Sequence, residues 1–480
     1  MRDELPDGWV DCEVGDIARI VGGGTPTSKI PSNFSVESGV PWLTPADLSD
    51  HQGIYISHGK RYLTSQGYAT SSAKLMPKGS VLFSSRAPIG YVAVAENEIC
   101  TNQGFKSFVC SRGIWPEYLY FWLKYAKPLA EQLASGTTFA EISGTNAARI
   151  PLCLAPTREQ QRIAVKLEKL LNKVDVCQKR LTTIPMFLKR LRQSVLAAAC
   201  SGRLTVDWRE EQPNISIVEQ LGDDSDALPS NWRSVCVGDV IENLKYGTSQ
   251  KCGYTKHGVP VLRIPNVLNG VIDQTDLKYA QLPPKEFEQL RLQVGDILLI
   301  RSNGSVSLVG RSALVREQER GLAYAGYLIR LRPNRSRVES GFLNFAFGSF
   351  DVRLQIELEA RSTSGVNNIN SEEVRALRLS LPPLAEQREI VRRVKGLFAL
   401  ADTIEDRYRE AQKRVDHLSQ SILAKAFQGD LVPTEAELAK AEGRSFESAE
   451  KLLERIKHTN GTETEKKRAH RSPRAKKAAV

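Results

Sequence analysis

Apolar residues recur at alternating steps of four and three in two long stretches of the 480-residue chain. In the first they fall at Ile163, Leu167, Leu170, Val174, Cys177, Leu181, Ile184, Leu188, Leu191 and Val195. In the second they fall at Ile390, Val394, Leu397, Ala401, Ile404, Tyr408, Ala411, Val415, Leu418 and Ile422. Neither series misses a step, and the spacing is that of a coiled-coil seam. About forty helical residues make a rod of roughly 60 Å. Thr157 and Gln160 predict a capping box at the first helix start, where the second has Leu384 in place of the Thr. Gly202 and Gly429 stand where a left-handed residue would close each helix. Pro185 predicts a kink or break in the first helix, because proline removes a backbone hydrogen bond and crowds the preceding turn.

Outside these stretches the apolar pattern shortens to that of strands. Segments 80–84, 90–95, 105–110 and 150–154 read as strands, and so do 296–300, 308–315, 326–331 and 377–381. Segments 117–125 and 341–358 read as helices, with Pro128 ending the first; their aromatics (Tyr118, Phe121, Trp122, Phe342, Phe345, Phe350) are expected in the core. The two halves repeat one another. Leu5-Pro6-Asp7-Gly8-Trp9 matches Leu228-Pro229-Ser230-Asn231-Trp232, and Gly39-Val40-Pro41 matches Gly258-Val259-Pro260. Pro156 and Gly202 recur as Pro383 and Gly429 at one common offset. The expected fold class is α+β: two similar mixed α/β modules separated by two long antiparallel coiled-coil helices, with pseudo-twofold symmetry. The expected boundaries are 1–155 and 205–382 for the modules, 156–204 and 383–431 for the spacer helices, and 432–480 for a short helix and basic tail. Antiparallel pairing would place the modules at opposite ends of the rod. Residues 435–456 look helical, whereas 459–480 are polar and basic and are expected to be disordered.

Composition is that of a globular protein, with 41% hydrophobic and 25% charged residues. No apolar run is long enough to predict a membrane span, and the N-terminal residues lack a signal-peptide core, so the expected compartment is the cytoplasm. Of the net charge of +11, seven positive residues and no acids fall in 466–480, which leaves a mildly basic body. The eight cysteines form no Cys-x-x-Cys pair, and reduced, mostly buried thiols are expected rather than a metal site. There is no phosphate-binding Gly-x-x-x-x-Gly-Lys-Ser/Thr loop and no Asn/Asp-Pro-Pro-Tyr/Phe segment, so no catalytic residue is assigned. Gly22-Gly23-Gly24 is expected to shape a loop.

The paired Leu-Pro-x-x-Trp starts, the two Pro-x-x-Glu-Gln-x-x-Ile segments at 156–163 and 383–390, and the helix ends at 194–204 and 421–431 together resemble the specificity subunit of type I restriction–modification enzymes. The resemblance covers nearly the whole chain up to Pro433 and rests on order, spacing and duplication rather than on any one motif. It implies that each module is a target recognition domain reading one half of a split double-stranded DNA sequence. The helices would fix the gap between the halves and dock two methyltransferase subunits, which recruit restriction–translocase subunits. S-adenosylmethionine, ATP and Mg2+ would act in those partners, and this chain would hold no cofactor. A coiled-coil scaffold without DNA specificity, or a self-contained nuclease, are the competing readings.

Residues that touch DNA should be polar or basic, on module loops, at matching places in both copies. Arg86, and Arg301 with Ser302 and Asn303, follow apolar strands and suit phosphate, guanine or adenine; surface salt bridges and turn chemistry are the alternative. Thr137 and Thr138 in one module, and Arg361 and Ser362 in the other, precede the final strand and suit phosphate oxygens or a turn. Lys60, Arg61, Lys245 and Lys251 add charge. Gly24-Thr25 and Gly247-Thr248 match across the copies, which makes Thr25 and Thr248 candidates as well.

Overall fold

The computed structural model describes residues 4–86, 88–136, 140–212, 229–268, 270–363 and 365–469, with the backbone alone for 361–363 and 460–469. The chain forms two compact units, one of residues 1–180 with 411–480 and one of residues 181–410.

In the first unit, Val10–Glu13 pairs antiparallel with Pro151–Leu154 and closes the module where it begins and ends. Two sheets lie between. One orders Ala18–Gly22, Lys106–Cys110, Val81–Ser85, Ile89–Ala95 and Tyr55–Ile56; the other orders Phe34–Ser35, Arg61–Leu63, Val40–Leu43 and Cys100–Thr101. Helix Pro116–Tyr125 buries six consecutive side chains, 118–123. Such a helix is apolar on all sides because a sheet covers one face and other helices cover the rest. Phe427 packs edge-on against Tyr118 and Trp122, with centroids 5.4 and 4.9 Å away. Ile163, Ala164 and Leu167 share this core with Leu423 and Ala426, so the start of one long helix and the end of the other contribute to one cluster.

The second unit repeats the closing pair with Arg233–Cys236 and Arg378–Leu381. Its main sheet orders Ile241–Tyr246, Leu328–Pro333, Ile297–Ile300 and Ser312–Leu314. A three-stranded sheet holds Lys278–Ala280, Val259–Leu262 and Ala323–Tyr324, and another holds Ser302–Asn303, Val366–Asn368 and Arg361–Thr363. Here Val195 and Ala199 share the core with Ile390, Val391 and Val394.

The tryptophan and Glu-Gln segments have one physical explanation. Trp9 Nε1 donates to Glu159 at 2.9 Å, and Trp232 Nε1 donates to Glu386 at 3.0 Å. Both carboxylates are fully buried, so each needs several donors to be tolerated. The segments that follow the long helices supply them. Thr205 Oγ1 donates to Glu386 at 2.8 Å, and Arg209 pairs with the same carboxylate. The Glu435 N–H donates to Glu159 at 2.8 Å. Burial pushes the Glu159 carboxyl above its usual range against these bonds. Burial also opposes charge on Glu435, but Arg162 and Arg444, each 2.6 Å away, overcome it and hold that carboxyl low. Gly202 (φ 81°) and Gly429 (φ 83°) adopt the left-handed turn that sends the chain from each helix into its clasp.

The first long helix runs as Thr157–Leu181 and Ile184–Cys200, with Pro185 in the first turn of the second piece; the other runs unbroken as Leu384–Phe427. One heptad column is turned inward: Leu167, Val174, Leu188, Val195, Val394, Ala401 and Val415 are buried. The other column is buried only at the helix starts, Ile163 and Ile390; further along, Cys177, Leu191, Ile404 and Leu418 are exposed. Several expectations are corrected here. Thr157 and Gln160 form no capping box: Thr157 Oγ1 donates to the Gly113 carbonyl (2.8 Å), and Gln160 bonds Trp115 N–H (2.9 Å) and the Ala155 carbonyl (2.7 Å). Tying the helix to its module satisfies those groups better than a local cap. The first of the expected helices does end ahead of Pro128, at Tyr125, but the proline then sits in the first turn of a further helix, Lys127–Gln132, where its missing N–H costs nothing. The expected helix 341–358 breaks into Ser340–Phe347 and Phe350–Glu359 at Gly348-Ser349, and Phe350 is exposed. The expected strand 308–315 shortens to Ser312–Leu314 after a 3-10 turn, Val306–Leu308. The expected disordered tail begins too early, because helix Ala449–Ala469 continues through its first eleven residues. Leu452, Leu453 and Ile456 anchor the helix in the core, and the Glu/Lys-rich sequence after them propagates it. Residues 470–480 lie outside the described region.

Candidate nucleic-acid interface

A cleft of about 1070 Å³ opens in the second unit where the ends of several strands meet. Lys251, Arg263, Lys278 and Arg301 line it, and among the described residues no carboxylate does. Gly247 makes the close approach possible, since a Cβ there would lie 2.3 Å from the Tyr324 carbonyl oxygen. Arg301 follows strand Ile297–Ile300; its N–H donates to the Tyr327 carbonyl (2.9 Å), and its carbonyl accepts from Ile369 N–H (3.0 Å). The guanidinium is 4.6 Å from the Tyr246 ring centre, which restrains it in plane. Lys278 is held in the same way, 4.7 Å from the Tyr254 ring centre. Arg263 donates to Asp276 at 2.7 Å. Three buried polar atoms at this cleft have no partner: Arg301 Nε, Arg263 Nε and Asn368 Oδ1. Restrained cations, aromatic faces and unspent hydrogen-bonding groups suit an anionic ligand with flat polar edges, which is the chemistry of nucleic acid.

Strand register locates the same places in the first unit. Trp42 pairs with Cys100 and Arg61, as Val261 pairs with Ala323 and Lys278. Arg61 therefore takes the place of Lys278, and it too stacks on aromatics, 4.5 Å from Phe34 and 5.5 Å from Trp42. Phe108 opposes Val81 as Leu331 opposes Ile297, which puts Ser85 where the other unit has Arg301. The Ser85 N–H donates to Gly104 O (2.7 Å) and its carbonyl accepts from Ile142 N–H (3.0 Å), the pair of bonds that Arg301 makes. Arg86 bridges Glu141 as Ser302 pairs with Asn368. Arg86 and Lys106 share the Glu141 carboxylate at 3.5 and 3.2 Å.

The cleft gathers four of the residues singled out from the sequence: Thr248, Lys251, Arg301 and Ser302. Of these, Thr248 is buried, with its hydroxyl donating to Glu286 at 2.7 Å, so its side chain is spent inward. Asn303 Oδ1 accepts from Ser305 N–H (2.9 Å) and serves a turn. Lys245 donates to Gln289 away from the cleft lining. Arg361 and Ser362 pair by backbone with Asn368 and Asn367, beside the cleft. In the first unit Arg61 is stacked, Arg86 is paired, Lys60 is exposed, and Thr25 bonds Gln103. Thr137 and Thr138 lie outside the described residues. The match of Thr25 with Thr248 is one residue out: Gly24 N–H donates to Thr101 O and Thr248 N–H to Tyr324 O, so Gly24 holds the Thr248 place. Sequence reasoning missed Lys278, Arg263, Tyr246 and Asn368, because only tertiary stacking and register distinguish them from ordinary strand and loop residues.

Burial pushes the thiols of Cys12, Cys100, Cys110, Cys153 and Cys200 up to about 12, so all five are protonated and poor nucleophiles. Among the described residues no three His, Cys, Asp or Glu side chains come together as a metal site, and no helix is long and apolar enough to cross a membrane.

Residues 6–186 and again 229–412 match the family described as the type I restriction modification DNA specificity domain. The chain is 31% identical to the EcoKI specificity subunit of Escherichia coli K12 over 95% of this chain and 96% of that one. It is 30% identical to the StySPI specificity subunit of Salmonella potsdam over 98% of this chain and 100% of that one. The fold resembles a solved chain of a type I restriction–modification system (TM-score 0.65, 22% identity, covering 89% of this chain and 100% of that one). It also resembles the HsdS subunit of Thermoanaerobacter tengcongensis (TM-score 0.58, 20% identity, covering 89% and 98%). A family match that recurs in both halves and spans most of the sequence, together with 31% identity to the EcoKI specificity subunit over nearly its whole length, places this chain in the family of type I restriction–modification DNA specificity subunits.

Proposed function

We propose that this specificity subunit reads a bipartite double-stranded DNA target, one half with residues 1–155 and the other with 205–382. Residues 156–204 and 383–431 pair as an antiparallel coiled coil that sets the distance between the half-sites and docks two methyltransferase subunits. Restriction–translocase subunits join through those. Adenine methylation with S-adenosylmethionine, and cleavage driven by ATP with Mg2+, belong to the partners; this chain contributes sequence choice and no catalytic group. The cation-lined cleft of the second unit carries the reading, because it offers an anionic polymer both charge and unspent base-edge partners. The shared cores of helix starts and ends, Ile163 with Leu423 and Val195 with Ile390, support antiparallel pairing.

Selection from a random duplex pool by this subunit, assembled with its methyltransferase partners, tests the proposal. Two short conserved blocks at a fixed separation are expected, with affinity falling steeply with salt. Binding without any selected sequence would turn the protein into a coiled-coil scaffold instead.

A further inference from the structure

The places that strand register makes equivalent divide into two kinds. At one, the chemistry is kept: Arg61 and Lys278 are both cations stacked on aromatic rings. At three others it is exchanged: Ser85 for Arg301, Arg86 for Ser302, and Glu141 for Asn368. Resting on the DNA-reading function above, we propose that Arg61 and Lys278 grip backbone phosphate whatever the sequence, and that the exchanged triads read base edges.

A backbone contact is the same in every half-site, so a residue that makes it should keep its charge in both units. A base contact must differ when the bases differ. The stacked cations fit the first role, since the ring face holds the charged group itself in place without neutralising it. The triads fit the second. Ser85, Arg86 and Glu141 offer a carboxylate shared by two cations, an arrangement that accepts from a cytosine amino group once the ion pair reorganises. Arg301, Ser302 and Asn368 offer a ring-restrained guanidinium fork and an unpartnered amide oxygen, the partners of guanine and adenine edges.

The test uses the subunit assembled with its methyltransferase partners, with binding measured at several salt concentrations and selection from a random duplex pool. Arg61→Gln and Lys278→Gln should each weaken selected and scrambled duplexes by one common factor, about three- to tenfold, and reduce the salt slope by about one, with the selected bases unchanged. Arg301→Gln should admit other bases at one position of one half-site, with a loss of preference of about ten- to a hundredfold, and leave the other half-site as it was. Arg301→Lys keeps the charge but not the fork, and it should give the same relaxation if the glutamine variant fails to fold. A changed base preference in Lys278→Gln, or a uniform loss on all duplexes in both Arg301 variants, would overturn the division. A wild-type complex that selects no sequence would instead remove the DNA-reading function beneath it.

Discussion

At the residue scale, the fully buried Glu159 and Glu386 make heavy demands on their surroundings. Glu386 accepts from Trp232 and from Thr205 and Arg209, three donors from two segments of the second unit. Removing the carboxylate takes the shared acceptor from all three donors in a buried site. Glu386→Ala should therefore cost about 3 to 5 kcal/mol, seen as a lower urea midpoint for the full chain by circular dichroism. Trp232→Phe removes one donor of the three and should cost about 1 kcal/mol beyond lost packing. Equal effects of the two variants would argue against the carboxylate as the hub. Acid adds a second test. Hydrogen bonds from Arg392 and then Arg393 lower the Glu389 carboxyl from 4.5 to about 2. A depressed carboxyl stabilises the fold fully above its ordinary pKa and loses that contribution as pH falls through the lowered one. Arg393 also grips Asp207 at 2.6 Å, so Arg393→Gln should move the acid-unfolding midpoint to higher pH. An unchanged midpoint would mean that these pairs are screened at the surface and contribute nothing. The paired tryptophan and Glu-Gln segments were legible in the sequence as a repeated pattern. Their joint meaning was not, because a Trp and a Glu some 150 residues apart meet only through the fold.

At the scale of elements, the heptads were legible because a 3.5-residue period is a local property of the chain. The expected break at Pro185 was legible for the same reason, and it falls at Thr182-Thr183, just ahead of the proline. Exposure of Cys177, Leu191, Ile404 and Leu418 in the second heptad column was not, since burial depends on what lies beside the helix. The base-reading candidates fared unevenly on the same principle. Arg301 and Ser302 follow an apolar strand and could be found by pattern, whereas Lys278 sits in a strand and is marked only by the ring beneath it. The proposed coiled-coil ruler makes a prediction of its own. One added heptad in both helices lengthens the rod by roughly 10 Å, which is about three base pairs. Mapping the methylated sites of such a variant should show the same two half-sites at an altered separation. An unchanged separation would remove the helices from that role.

At the scale of the whole molecule, one framework serves two readings. Each unit closes its ends with an antiparallel strand pair, seats a tryptophan on a buried glutamate, and completes that clasp with the chain leaving a long helix. What differs lies at the strand ends around the cleft and its counterpart. A framework of this kind lets recognition change in one unit without disturbing the fold of the other. Replacing residues 1–155 with the corresponding segment of another specificity subunit, and then sequencing the methylated adenines left in DNA by the assembled complex, tests this most directly. The separation and one half-site should persist while the other half-site changes to that of the donor. A product in which both half-sites change, or neither does, would contradict the account.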